Sequence, residues 1–97
     1  MVHYVYIIYS EKSDIYYKGF SLRPYIRLEE HNEGKSQYTS SKGPWKLVFL
    51  QQFETKMEAL RLEKQLKRAN RNYLLWVINQ DYNLVKNEPN KNRTDSF

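Results

Sequence analysis

Residues 4–20 read YVYIIYSEKSDIYYKGF, and this stretch decides the fold because it predicts a β-hairpin. Both of its ends are rich in β-branched and aromatic side chains, which favour strands at residues 4–9 and 15–20. The segment between them, residues 10–14, is polar and typical of a turn. We therefore predict two antiparallel strands joined by a short connection.

The hairpin predicts that two tyrosines share one face of the sheet. If the turn contains two or four residues, Tyr6 and Tyr17 point the same way as Ile8 and Ile15, because side chains alternate along a strand. Gly19 would lie on the same face and leave bare backbone beside Tyr17, where a ligand could approach closely. Cross-strand packing is the simpler interpretation of the two tyrosines.

The residues after the hairpin predict a helix, a loop and a third strand. A short helix is expected between Ser21 and Gly34, with Ser21 as its N-cap and Pro24 in its first turn. Residues 35–44 are polar and typical of a loop, and residues 45–53 have the composition of a strand.

A second helix is indicated by Thr55 and Glu58, which have the spacing of a capping box. This helix is expected to run to about Asn70. Its buried stripe would contain Ala59, Leu62, Leu66 and Ala69.

The last apolar segment, residues 73–78, fits a helix or a strand by its periodicity, and we interpret it as a helix because a helix precedes it. Asn72 is the candidate for its N-cap. The chain then becomes rich in Asn and Lys, so residues 81–97 are expected to form a polar, mobile tail. The order β-β-α-β-α-α predicts an α+β domain at residues 1–80, with helices packed on a three-stranded antiparallel sheet.

Composition narrows the functional classes. The net charge of +5 over 97 residues favours a polyanionic partner such as nucleic acid. The sequence contains no Cys, which excludes disulfides and thiolate zinc sites and suits a cytoplasmic protein. No apolar run approaches the roughly 20 residues of a membrane span, and the N-terminus lacks the pattern of a signal peptide, so no membrane partner is expected.

Three polar residues on the predicted helices could take part in phosphate chemistry. Arg27 and His31 share a helix face, where the guanidinium suits phosphate and the imidazole can exchange a proton. An ordinary solvated face is the alternative. Glu63 lies at the edge of the buried stripe, where its carboxylate needs a partner. Arg27, a divalent cation or Lys67 could be the partner of this carboxylate.

The second helix also carries a basic surface. Residues 55–72 contain Lys56, Arg61, Lys64, Lys67, Arg68 and Arg71. Such a surface suits a phosphate backbone, and it equally suits a solvated helix. If the partner is nucleic acid, the residues expected to contact it are Lys18, Lys64, Lys67, Arg68 and Arg71.

Taken together, these segments resemble the GIY-YIG nuclease family, in particular its small single-domain bacterial branch. The two motifs that name the family correspond to Tyr4-Val5-Tyr6 and Tyr17-Lys18-Gly19, which keep the tyrosines. Residues 27–32 resemble the family helix that carries an arginine and a histidine. Residues 42–48 resemble the start of its third strand, and residues 54–67 resemble the helix with its metal-binding glutamate.

The resemblance implies a metal-dependent endonuclease that hydrolyses phosphodiester bonds in nucleic acid. DNA is the expected substrate, and DNA repair or processing is the expected setting. One Mg²⁺ or Mn²⁺ would be held by Glu63, while Arg27 would bind the phosphate oxygens and Tyr17 would position the water or the phosphate. Asn70 and Asn72 are both candidates for a further polar site residue that many family members carry.

The base that activates the attacking water has two candidates, Tyr6 and His31. Tyrosine has a reference pKa of about 10, so Tyr6 would need nearby cations to lower it, for which Arg27, Lys18 and the metal are suitable. His31 would need less perturbation.

Two other classes of function fit the same sequence. One is a non-catalytic nucleic-acid-binding module on the same fold, which would use the basic helix and exposed tyrosines. The other is a protein-interaction domain that makes contact through residues 73–78, including Trp76. Cleavage that needs metal, and binding that weakens with salt, distinguish the three classes.

Overall fold

The computed structural model describes residues 1–86, and the order β-β-α-β-α-α is confirmed within them. The strands β1 (His3–Ser10), β2 (Ile15–Ser21) and β3 (Lys46–Phe53) form an antiparallel sheet in the order β2-β1-β3. The helices are α1 (Pro24–Asn32), α2 (Lys56–Lys67) and α3 (Arg71–Ile78). None of these helices is long and apolar enough to cross a membrane.

The register of the hairpin places Tyr6 and Tyr17 on one face of the sheet, as predicted. Ser10 pairs with Ile15, so residues 11–14 form the turn, and Tyr6 pairs with Gly19. Because side chains alternate along each strand, this pairing fixes which tyrosines can meet.

Helices cover both faces of the sheet, and each face has its own apolar cluster. The cluster on the face of α1 contains Tyr6, Ile8, Trp45, Leu47 and Leu50, with Leu28 packed against it. The cluster on the face of α2 and α3 contains Val5, Ile7, Phe49, Ala59, Leu66, Leu74 and Val77. Because the strand order is β2-β1-β3, strand β2 is an edge strand of this sheet.

The predicted N-cap of α1 is wrong. Arg23 occupies the cap position, and Ser21 belongs to β2, where its Oγ accepts a hydrogen bond from the Arg23 N–H at 2.9 Å. The helix begins one residue later at Pro24, whose fixed φ and missing N–H suit a first helical position. Gly34 follows the end of the helix with φ +79°, as expected for a helix stop.

The capping box of α2 is confirmed, since the Glu58 N–H donates to Thr55 Oγ1 at 3.2 Å. The helix ends at Lys67, earlier than predicted. Asn70 is therefore free to cap α3, where its Oδ1 accepts from the Tyr73 N–H at 2.8 Å. The prediction that Asn72 is this cap is wrong, and the prediction that residues 73–78 are helical is confirmed.

Residues that follow α3 pack onto β3. Asn83 is buried, and its Nδ2 donates to the carbonyl oxygens of Val48 at 2.9 Å and Ile78 at 2.8 Å. Its Oδ1 accepts from the Leu50 N–H at 3.1 Å. The expected mobile tail thus begins with a segment that packs on the domain, and residues 87–97 lie outside the described part of the chain.

Candidate active site

The ring of Tyr6 lies directly over Gly19 on the neighbouring strand. A Cβ atom built at position 19 would overlap the Tyr6 hydroxyl and ring. The backbone at Gly19, which we expected to be accessible to a ligand, is therefore covered by Tyr6. Glycine is required here because it lets the tyrosine cross β2 and place its hydroxyl near α1.

We expect Gly19→Ala to destabilise the fold by about 1–3 kcal/mol, because the added methyl group overlaps Tyr6. Urea unfolding of the wild type and the variant measures this cost. In a Tyr6→Ala background the same change at Gly19 should cost much less, since the overlapping ring is gone. Equal costs in the two backgrounds would contradict the proposed overlap.

A buried line of hydrogen bonds connects Tyr6, His31 and Thr39. The Tyr6 hydroxyl lies 2.9 Å from His31 Nε2, and His31 Nδ1 lies 2.7 Å from Thr39 Oγ1. The Thr39 hydroxyl donates to the Ser36 carbonyl at 3.4 Å, so it accepts from His31 Nδ1–H. His31 Nε2 then carries no proton and accepts from the Tyr6 hydroxyl.

Burial determines the protonation states of Tyr6 and His31. His31 is only 2% exposed, so the solvated-face alternative is excluded for it. Burial, together with nearby Tyr17, raises the pKa of Tyr6 to about 12, and Arg27 offsets only part of that rise. Burial and Arg27 lower the pKa of His31 to about 4, against a smaller opposing effect of Glu30. Arg27 therefore does not bring the pKa of Tyr6 below its usual value, because burial has the larger effect.

The buried neutral His31 predicts a loss of stability in mild acid. An unfolded histidine binds a proton near pH 6.5, whereas His31 in the fold does so near its pKa of about 4. The stability that this difference contributes above pH 6.5 is lost as the pH falls towards 4, and it amounts to on the order of 3 kcal/mol. Urea unfolding at several pH values should show a steeper acid loss for the wild type than for His31→Gln. Parallel curves would contradict a buried neutral histidine.

Arg27 lies at the open end of this line. Its guanidinium is about one third exposed, and Nη1 donates to Glu30 Oε1 at 2.9 Å. Glu30 raises the pKa of Arg27, and the Tyr6 hydroxyl adds to that effect. Arg27 therefore combines a fixed position beside Tyr6 with donor groups that face solvent.

Glu63 approaches from α2, on the opposite face of the sheet. Its side chain is 17% exposed, and its Oε2 lies 3.3 Å from Lys67 Nζ. Of the partners that the sequence left open, Lys67 is the one observed, while Arg27 pairs with Glu30. The charge of Glu63 reaches Tyr6, where it is the weakest of several influences that raise or lower the pKa.

A single carboxylate limits which metal this site could hold. Within residues 1–86 no three His, Cys, Asp or Glu side chains are grouped to form a metal cage. This donor set does not suit zinc, which takes three or four protein ligands. It fits Mg²⁺, which uses one or two carboxylates and completes its shell with water and substrate phosphate.

Most of the chain matches a known protein family. Residues 2–79 match the family described as GIY-YIG catalytic domain. The chain belongs to the GIY-YIG family. Membership points to a nuclease-type function, which agrees with the family resemblance of the tyrosine motifs.

Relatives of this GIY-YIG protein are small proteins of similar length. UPF0213 proteins of Staphylococcus haemolyticus and Staphylococcus aureus are each 34% identical to it over 79 residues, which cover 80% of this chain and 95% of theirs. The solution structure of a UPF0213 protein from Bacillus halodurans is 31% identical and superposes with a TM-score of 0.56. That similarity covers 84% of this chain and 87% of the other.

A cavity opens at the edge of β2 in this GIY-YIG protein. It is lined by Tyr16, Tyr17, Lys18, Tyr38 and Lys67. Burial lowers the pKa of Lys18, and the nearby charge of Lys67 lowers it further. Two of the residues predicted to contact nucleic acid thus lie side by side next to Tyr17.

The other predicted nucleic-acid contacts are distributed differently. Arg71 binds the tip of the hairpin, where Nη1 donates to Asp14 Oδ1 at 3.0 Å and Nη2 donates to the Asp14 carbonyl at 2.8 Å. Lys64 and Arg68 are exposed. Asn70 is occupied as the N-cap of α3. Lys18 and Lys67 therefore lie at the candidate site, whereas Arg71 and Asn70 make contacts within the fold.

Three residues around the site were not predicted from the sequence. Glu30 holds Arg27, Thr39 fixes the tautomer of His31, and Tyr38 stacks on Tyr17. Glu30 is three residues after Arg27, a spacing that could have suggested an ion pair. Thr39 and Tyr38 lie in a polar loop, and no local pattern distinguishes them there.

Proposed function

We propose that this protein is a metal-dependent endonuclease that hydrolyses phosphodiester bonds in DNA, in DNA repair or processing. The observation that carries the proposal is the buried line from Tyr6 through His31 to Thr39, with Arg27 at its open end. Burying three polar side chains to support one hydroxyl is costly for packing alone. Such an arrangement suits a hydroxyl that must present a lone pair in a fixed position.

The hydrogen-bond line supports a proton relay. As water attacks phosphorus, it gives a proton to the Tyr6 oxygen, and Tyr6 passes its own proton to His31 Nε2. Thr39 Oγ1, which accepts from Nδ1–H, stabilises the imidazolium that forms. No free tyrosinate forms in this relay, and the proton acceptor is His31, a weak base because burial and Arg27 lower its pKa to about 4. General acid–base catalysis of this kind contributes about 10² to 10⁴ in rate.

The remaining residues would bind and orient the phosphate. Arg27 has donor groups that fit non-bridging phosphate oxygens, where negative charge develops in the transition state. Tyr17, packed edge-on against His31 with ring centroids 5.0 Å apart, would position the water or the phosphate. A Mg²⁺ or Mn²⁺ held by Glu63 would neutralise charge on the phosphate and on the leaving oxygen.

The test of this proposal is an incubation of the purified protein with single-stranded, duplex and branched DNA. We expect cleavage that requires Mg²⁺ or Mn²⁺ and stops in EDTA. Binding to uncleaved DNA should weaken with salt, with a log–log slope of roughly −2 to −4 on duplex DNA if a few of the lysines and arginines contact phosphates. Absence of cleavage on every substrate with either metal would reject the nuclease proposal.

A non-catalytic nucleic-acid-binding module is the second candidate. The observation that favours it is the ion pair between Glu63 and Lys67, which gives the carboxylate a partner without any metal. This candidate predicts the same salt-dependent binding with no cleavage, and Mg²⁺ or Mn²⁺ should affect affinity only as added salt does.

A further inference from the structure

We propose that the exposed ring of Tyr38 is a stacking subsite for a nucleobase next to the phosphate that is cut. This inference rests on the proposed nuclease function, and it names Tyr38 as a substrate-binding residue. Three observations support it: a chain of ring contacts, the rigid attachment of Tyr38, and the charge of the adjoining cavity.

The ring contacts run from the core to the surface. The Tyr17 ring packs against buried His31 at a centroid distance of 5.0 Å. The Tyr17 ring also stacks with the Tyr38 ring, at a centroid distance of 5.7 Å and an interplanar angle of 28°. Tyr38 is 56% exposed, so much of its surface is open to solvent. A further aromatic ring could continue this series at the favourable spacing of aromatic pairs.

Tyr38 is held in place although its own ring is exposed. The next residue, Thr39, is fully buried, and its carbonyl accepts a hydrogen bond from Trp45 Nε1 at 3.2 Å. Lys42 Nζ donates to the Tyr38 carbonyl at 2.9 Å and lies over the Tyr38 ring, 4.8 Å from its centre, so a base that stacks on that face displaces the ammonium. A ligand that stacks on this ring would therefore pay little to order it.

The cavity beside Tyr38 combines rings with positive charge. Its lining contains three tyrosine rings and the side chains of Lys18 and Lys67, and none of the five lining residues is acidic. Lys67 also contacts Glu63, the proposed metal ligand. A ligand that uses both features must be flat, aromatic and joined to a negative group. A nucleobase with its own phosphate meets these requirements, and stacking on tyrosine tolerates any base.

The experiment measures binding of a short fluorescent DNA in EDTA, where no hydrolysis is needed. Tyr38→Ala should weaken binding about 5- to 150-fold, because base stacking on an aromatic ring has that effect. Tyr38→Phe keeps the ring and should bind like the wild type. The matched control is Tyr82→Ala, which removes another exposed tyrosine away from this cavity. The log–log salt slope should be the same for all four proteins, because tyrosine carries no charge.

A series of DNAs with one abasic position each then tests whether a base is the group that stacks. The wild type should lose affinity at one position beside the cut, and Tyr38→Ala should lose nothing further at that position. Three results would overturn the subsite: wild-type affinity in Tyr38→Ala, an equal abasic penalty in both proteins, or no DNA binding by the wild type. Binding without cleavage would reject the nuclease proposal and a subsite beside a cut, and a Tyr38 effect on affinity would then assign base stacking to a binding module. Cleavage that Tyr38→Ala does not change would reject the subsite alone.

Discussion

Replacing Tyr6 by phenylalanine should reduce the rate of DNA cleavage by about 10² to 10⁴-fold while the protein stays folded. The variant keeps the ring that covers Gly19 and removes the hydroxyl that, in the proposed relay, transfers the proton from water to His31. His31 Nε2 then loses its partner, which costs about 1–3 kcal/mol of stability. Single-turnover cleavage measures the rate, and urea unfolding measures the stability.

Tyr9→Phe is the matched control for this change. Tyr9 lies on the same strand, but its hydroxyl donates to Asp14 at 2.8 Å near the tip of the hairpin. We expect Tyr9→Phe to cleave at the wild-type rate. A Tyr6→Phe protein that cleaves as fast as Tyr9→Phe would show that the buried hydroxyl has no part in the reaction.

The pH profile of the wild type separates the relay from a free tyrosinate base. With pKa values of about 12 for Tyr6 and about 4 for His31, the pair keeps one protonation state between those limits. The relay therefore gives a rate with little dependence on pH between about 6 and 9 from these two groups. A tyrosinate base would instead give a rate that rises about tenfold per pH unit over that range.

The hairpin shows what the sequence can predict. Strand alternation and a turn of two or four residues together place Tyr6 and Tyr17 on one face, and the structure has that register with a turn at residues 11–14. The order of the elements follows from equally local signals, such as the capping box at Thr55. Local signals were less successful at the helix ends, where Ser21 and Asn72 were the predicted caps and a residue two positions away is the observed cap in each case.

The surroundings of the site depend on contacts between distant parts of the chain. Tyr6 meets His31 and His31 meets Thr39 only after α1 and the following loop pack on the sheet. The direction of the pKa shift of Tyr6 has the same origin, because burial outweighs the nearby cation. A sequence motif indicates candidate side chains, but it does not say whether they are buried.

Glu63→Gln should abolish metal-dependent cleavage while it preserves the fold and the binding of DNA. The Glu63 side chain is mostly buried at the edge of α2, and its charge influences the pKa of Tyr6. It has the position of the metal ligand that the family resemblance implies. Glutamine keeps the size and one carbonyl oxygen, so packing should survive. It lacks the negative charge that holds a hard dication among oxygen ligands. Circular dichroism and DNA affinity in EDTA check that the variant is otherwise intact.

Two measurements decide between a metal ligand and a simple ion pair at Glu63. If Glu63 only pairs with Lys67, the change costs at most about 1 kcal/mol of stability and leaves cleavage as it was. If Glu63 holds the metal, binding of Mn²⁺ to the complex with uncleaved DNA should weaken together with the cleavage rate. Glu54→Gln, which alters an exposed carboxylate just before α2, should affect neither quantity. Equal cleavage rates in folded Glu63→Gln and wild type would remove Glu63, and the metal it was proposed to hold, from the mechanism.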